Sequence, residues 1–133
     1  MCRLFIEAQS DLWVSQSKSL RIDGVATSIR MENFFWQTLA EIAFRDDMTV
    51  NQLITRLYHE AIDAEHDLGN FTSFLRVCCG RYYALQATGE LPGSLDESLG
   101  GVDALRILER EQDRRQKTAL HLASRPPGHS RLN

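Results

Sequence analysis

The spacing of apolar residues changes period along the chain, and each change marks an element. Residues 20–31, Leu-Arg-Ile-Asp-Gly-Val-Ala-Thr-Ser-Ile-Arg-Met, alternate and are rich in β-branched types. Their second half sorts into Val25, Thr27, Ile29 and Met31 on one parity and Ala26, Ser28 and Arg30 on the other, the period-two signature of a strand. Asp23-Gly24 is either a hairpin turn joining two short strands or the lead into a single one. From residue 32 the period lengthens. Phe35, Trp36, Leu39, Ile42 and Ala43 predict a helix over 32–46, opened by Glu32 and Asn33. Arg45-Asp46-Asp47-Met48 is the turn after it. Thr49-Val50-Asn51-Gln52 has capping-box spacing and begins a second helix with Leu53, Ile54, Leu57, Tyr58 and Ala61 as its buried stripe, ending before Gly69. Asn70 caps a third helix over about 71–87, stopped by Thr88 to Gly93.

The flanks are less patterned. Residues 1–19 hold scattered apolar points, Leu4, Phe5, Ile6, Leu12, Trp13 and Val14, and predict an arm packed on the body. Residues 89–133 form a polar linker, a helix near 101–122 carrying Val102, Leu105, Leu108 and Leu120, and a flexible tail from Arg125. The division is thus an arm at 1–19, a strand-and-two-helix domain at 20–68, an accessory helix at 69–88 and the extension at 89–133.

Length and composition bound the function. With 133 residues, 43% hydrophobic and 25% charged, the chain has the balance of one folded domain with extensions. Its apolar runs are too short for a membrane span, and the first residues too short for a signal peptide, so a cytoplasmic protein is expected. Cys2, Cys78 and Cys79 read as reduced thiols, the adjacent pair as small packing residues. The net charge of −3 is unevenly spread: +1 over residues 1–31, −6 over 32–69 and +2 over 70–133. Any nucleic-acid contact must therefore be local, made by a few cations and backbone amides. Enzyme signatures are missing: there is no G-x-S-x-G, no glycine-rich phosphate loop and no H-E-x-x-H. Catalysis is not expected.

One strand cannot be a fold, and a two-stranded hairpin is marginal alone in water. The simplest solution is two copies pairing Val25–Met31 antiparallel, with four helices closing over the inner face. The expected architecture is mainly α with one short strand or hairpin, an intertwined homodimer with an intermolecular two-stranded sheet and extra C-terminal helices. Thr27, Ile29, Met31, Phe35, Leu39, Ile42, Leu53, Ile54 and Leu57 form its core. Ala26, Ser28 and Arg30 project from the other face as a ribbon of the kind that fits the DNA major groove. Lys18 and Arg21 can add phosphate contacts if the chain before the strand follows the duplex.

Residues 25–63 resemble the ribbon-helix-helix fold of the Arc and MetJ repressors. The likeness is gap-free over the two helices and carries Arg30, Ala43 and Val50-Asn51. Over residues 1–87 the chain is similar to a bacterial family of short ribbon-helix-helix proteins, through Thr27-Ser28-Ile29-Arg30, Phe35-Trp36, Thr49 to Ile54 and Asn70 to Cys78. The resemblance implies an obligate dimer on double-stranded operator DNA. Ala26, Ser28 and Arg30 then contact bases, and Thr49, Val50 and Asn51 present the start of the second helix to a phosphate. Two departures stand out: Asp47 occupies a turn position usually held by glycine, and the triplet has one strong reader, so cooperative assembly of dimers is expected to supplement a modest affinity. His59 and His66 can face one way with Cys78 or Cys79, but nickel-responsive repressors of this fold use a separate domain for metal, and no metal or other cofactor is expected here. The sequence thus points to a DNA-binding transcriptional regulator. The alternative is a protein-interaction scaffold, or an antitoxin-like protein, using the third helix and residues 89–133 to hold a protein partner.

Overall fold

The computed structural model describes residues 1–125 and 128, so nearly all of the tail expected from Arg125 lies outside the described residues. Residues 1–100 form one compact unit, and the chain from Gly101 onward forms another.

The first unit begins with a short helix α1 (Cys2–Ile6) and a 3-10 turn (Ser10–Trp13). Two strands follow, β1 (Ser15–Ile22) and β2 (Val25–Glu32), then helices α2 (Asn33–Arg45), α3 (Val50–Asp63) and α4 (Phe71–Ala87). β1 and β2 pair antiparallel, from Ser15 opposite Glu32 to Ile22 opposite Val25. The turn between them is Asp23-Gly24, with φ of +54° and +78°. Positive φ at both central residues is the type I′ arrangement, whose twist matches that of paired strands.

The two-stranded antiparallel sheet is therefore closed within one chain. The strand expected from a second copy is β1, which takes in residues 15–19 from the segment predicted to be an arm. Of the two readings left open for Asp23-Gly24, the hairpin is the observed one. Ser-Gln-Ser-Lys-Ser is polar on both parities, so it carries no apolar alternation to announce a strand. Hydrogen bonds from α2 hold its beginning instead. The Trp36 indole N–H donates to the Gln16 carbonyl at 2.9 Å, and the Asn33 backbone N–H donates to the Val14 carbonyl at 2.9 Å.

The inner face of the hairpin meets the helices. Ile22, Ile29 and Met31 join Trp36, Leu39, Ala43, Leu53, Ile54, Leu75 and Cys79 in one core. Burying each large aliphatic side chain stabilises the fold by roughly 1.5–3 kcal/mol. Of the nine positions expected in the core, Ile29, Met31, Leu39, Leu53 and Ile54 are buried within the single chain, while Thr27, Phe35, Ile42 and Leu57 are half-buried. Phe34 is the outward member of the aromatic run and meets α4, its ring 5.9 Å from that of Tyr83. Thr38, fully buried, donates its hydroxyl to the Phe34 carbonyl one turn back at 2.8 Å.

The helix ends show why the chain turns where it does. The Thr49 hydroxyl accepts from the Gln52 N–H at 3.1 Å, and the Gln52 side chain accepts from the Thr49 N–H at 2.9 Å, so the capping box is complete. At the end of α2 the Met48 N–H donates to the Ala43 carbonyl and the Asp47 N–H to that of Phe44. This is a Schellman closure, with Asp47 at φ +54° in the left-handed position that glycine fills most cheaply. α3 closes the same way on Glu65, before Gly69 as the sequence led one to expect.

The second unit contains helix α5 (Ala104–Ala123), capped by Asp103, whose carboxylate accepts from the Arg106 N–H. It matches the helix expected near 101–122. Leu105, Leu108, Leu120 and Leu122 are exposed on it. No described helix is long and apolar enough to cross a membrane.

Candidate nucleic-acid interface

The strand register sorts the hairpin's side chains between two faces. Cross-strand partners share a face, so Ser17 lies with Arg30, Ser19 with Ser28, and Arg21 with Ala26. All six are exposed. Gln16, Lys18, Leu20 and Ile22 share the opposite face with Met31, Ile29, Thr27 and Val25. The outward surface of the ribbon is thus small and hydroxylic, with an arginine towards each end. Between those arginines nothing is large enough to keep a flat partner at a distance.

The expected base-contacting triplet Ala26, Ser28 and Arg30 is on this face together. Arg21 joins it and also donates to the Gly24 carbonyl at 3.0 Å, which anchors its guanidinium near the hairpin tip. Lys18 is on the other face, its ammonium 5.1 Å from the centroid of the Trp36 ring. A cation over an indole face is held by the ring quadrupole. The structure therefore does not bring Lys18 to the ribbon's outer surface. Ser17 and Ser19 were not singled out from the sequence. The signal available was the alternation Ser15, Ser17, Ser19, which is small and polar and so invisible to a search for apolar period.

The second part of the site is the start of α3. Thr49, Val50 and Asn51 form its first turn, where N–H groups have no partner further back in the helix and the helix dipole is positive. The Thr49 amide is taken by the Gln52 side chain, which leaves those of Val50 and Asn51 to point out of the helix end. A cleft of about 670 Å³ brings this end together with the hairpin, lined by Arg21 and His59 as well as by Asn51, Gln52, Arg56 and Asp47. Asp46 and Glu60 also line it, so its cations are balanced by acids. His59 ties the two elements across the cleft wall, its Nε2 2.8 Å and 2.9 Å from the two carboxylate oxygens of Asp23 in the turn. His59 thus has a carboxylate partner, and among the described residues no group of histidine, cysteine and acidic side chains is arranged to hold a metal.

The α2–α3 turn is braced from behind. Arg45, 4% exposed, donates to the Glu97 carbonyl at 3.0 Å, to the Pro92 carbonyl at 2.6 Å and to the Tyr82 hydroxyl at 3.1 Å. Tyr82 in turn donates to Glu41 at 2.6 Å. Burial, and then the Glu41 carboxylate, push the Tyr82 hydroxyl above its ordinary pKa, so it stays a donor. Asp46 accepts from the Leu99 N–H at 3.2 Å. The segment after α4 is thereby fastened to the end of α2, which fixes where α3 begins.

Glu32, at the junction of β2 and α2, accepts from Arg76 of α4 at 3.0 Å. Backbone hydrogen bonding, and then Arg76, hold its carboxyl below the usual carboxylate range. Cys79 lies in the core, and burial pushes its thiol up to about 12, which makes it a packing residue and not a nucleophile.

Comparison with known proteins agrees with this geometry. An uncharacterised protein from Bordetella pertussis Tohama I is similar in structure, with a TM-score of 0.78 and 49% sequence identity over 81% of this chain and 86% of that one. No curated protein matches. A family profile described as a ribbon-helix-helix domain matches residues 15–83, from the first residue of β1 into the last turns of α4. That span covers half the chain and takes in the ribbon, both helices and the turn between them, so the protein belongs to the ribbon-helix-helix domain family.

Proposed function

We propose that this protein is a sequence-specific DNA-binding transcriptional regulator that lays the outward face of its ribbon in the major groove. Ribbon-helix-helix domains generally bind DNA as transcription regulators, are typically not enzymes, and usually dimerise. The observation that carries the reading is the division of β2: Ile29 and Met31 are buried beneath the ribbon, while Ala26, Ser28 and Arg30 are exposed above it. In this reading Arg30 donates both arms of its guanidinium to a guanine, Ser28 donates or accepts at a base edge, and Ala26 touches a thymine methyl. The Val50 and Asn51 amides and Arg21 meet backbone phosphates on the cleft side. Asp46, Asp47 and Glu60 in that cleft repel phosphate, so each site binds modestly and a homodimer, or several dimers side by side, supplies the remaining affinity. The protein acts in the cytoplasm, where the DNA of a bacterial cell is found.

The test is Arg30→Ala, assayed on a duplex selected from a random library by the full-length protein. Loss of a bidentate guanine contact is worth about 1–3 kcal/mol, roughly 5- to 150-fold in affinity. The proposal fails if the variant folds as the wild type does and binds the selected duplex equally well.

The exposed leucines of α5 support a second reading, in which residues 89–133 hold a protein partner. Unchanged DNA binding by Arg30→Ala, together with loss of a co-purifying protein on truncation before Gly101, would favour it.

A further inference from the structure

We infer that the amino-terminal arm is a second self-association surface, on which the arm of another copy docks about a two-fold axis, apart from the strand edge through which two chains form a dimer. The inference gives a surface to the side-by-side assembly of dimers proposed above, but it rests on no DNA contact and is tested without DNA.

The arm is held in place while its apolar side chains stay uncovered. Asn33 fastens it twice, with its backbone N–H on the Val14 carbonyl at 2.9 Å and its side-chain amide on the Asp11 carbonyl at 3.0 Å. Leu4, Phe5, Ile6, Trp13 and Val14 are nonetheless each more than half exposed, and Phe34 beside them is exposed as well. A groove of about 410 Å³ runs through this surface, lined by Leu4, Phe5 and Trp13, by Phe34 and Phe35, and by Glu32. Six large side chains leaving on the order of 100 Å² each uncovered make a patch of roughly 600 Å², the upper end of what a typical monomer exposes. Covered by a like patch, it buries about 1,200 Å² in total, the lower limit of a specific protein–protein interface.

Charge decides the occupant. A two-fold axis sets every charge against its own kind, so a self-associating face needs its charges matched within each copy. Here Arg3 is paired with Glu7 one turn on, and Glu32 is paired with Arg76. Asp11, the remaining acid of the arm, does not line the groove. A strongly charged partner finds no open counter-charge in the groove, whereas an identical apolar patch meets no repulsion there.

Strand pairing does not cover this patch. β1 fills one edge of β2, and the other edge is left for a second chain. When Val25–Glu32 of two copies pair antiparallel over their full length, the Ser15 ends of the two β1 strands lie at opposite ends of the sheet. They are then roughly 23 Å apart along the strands and three strand spacings across. The two arms of one dimer are too far apart to meet, so each takes its partner from the next dimer. Two distinct two-fold contacts per chain join dimers into a row.

The experiment is sedimentation velocity on the full-length protein over a concentration series, with tryptophan emission recorded alongside. Of the two tryptophans Trp36 is already buried, so a concentration-dependent blue shift reports Trp13. Wild type is expected to pass from dimer to tetramer and larger species as the emission shifts. Leu4→Glu/Phe5→Glu keeps both tryptophans and should weaken the dimer–dimer step by ~100-fold or more, since unpaired carboxylates would be buried in an apolar contact. The dimer itself should remain, and the blue shift should vanish. Thermal melts verify folding; should the double variant melt early, Leu4→Asn alone should give the same change at about 5-fold. A wild type that keeps one size at every concentration, or folded variants that assemble as readily as wild type, would overturn the inference. So would a folded variant that falls to monomers, because the arm would then belong to the contact that forms the dimer. None of these results bears on groove reading, which Arg30→Ala tests separately.

Discussion

Two arginines close to opposite ends of the same sequence stretch live in contrasting surroundings. Arg30 stands exposed on the ribbon among serines, whereas Arg45 is buried beneath the α2–α3 turn and bonded to two carbonyls and a hydroxyl. Arg45 has its donors directed at its own chain and so acts as a fastener. Arg30 has its guanidinium in water and can be redirected to a ligand with little loss elsewhere. The contrast shows that a count of cations says little about binding in an acidic protein. What matters is whose donors are already committed.

The sharpest way to break this comparison is to remove each arginine in turn. Arg45→Ala should lower unfolding stability by about 3 kcal/mol, because it removes a buried guanidinium from the Tyr82 hydroxyl and from two part-buried carbonyls, and a urea titration would read this as a large fall in midpoint. Arg30→Ala should lie within about 0.5 kcal/mol of wild type in the same titration, as exposed positions generally do. Equal effects would mean that Arg30 is structural and that the ribbon face is not free.

A smaller effect is expected at the turn that Arg45 braces. Asp47 holds a left-handed backbone and lines the cleft together with Asn51 of α3. Asp47→Gly should relieve strain, stabilising the protein by about 0.5–1 kcal/mol, and should also tighten DNA binding by removing a negative charge. Tighter binding without added stability would locate the effect in the cleft alone.

The smallest effect concerns Glu32, which Arg76 joins to α4. Its carboxyl is held below the usual range in the folded state, so it contributes stability above the unfolded pKa, near 4.5, and loses it as pH falls through the lower folded value. Glu32→Gln should therefore be slightly less stable than wild type at pH 7, with the difference shrinking towards pH 3. A difference independent of pH would assign the effect to packing instead.

The elements with a buried stripe were legible in the order of the residues. The alternation of Val25 to Met31, the helical spacing of Phe35 to Ala43 and the Thr49–Gln52 capping box each announced their element, because local geometry and burial demand the same residues there. The ribbon triplet followed from strand parity alone. Arg45 was not legible as a buried group, since a charged residue at a helix end ordinarily meets solvent, and its partners Pro92 and Glu97 lie 47 and 52 residues away in sequence. Phe34 has no place of its own in the apolar spacing beside Phe35 and Trp36, and it is the ring of Tyr83 on α4 that it meets.

The amino-acid order by itself determined the strand β2, the three helices after it and which of their faces are apolar, since period and capping are properties of neighbouring residues. Only the tertiary structure decided what pairs with β2. Residues 15–19 have no intrinsic reason to be a strand, and they become one because Trp36 and Asn33 bind the carbonyls at its beginning while an Asp-Gly turn brings it alongside. Partner choice of this kind depends on groups far apart in the chain, and no local pattern records it.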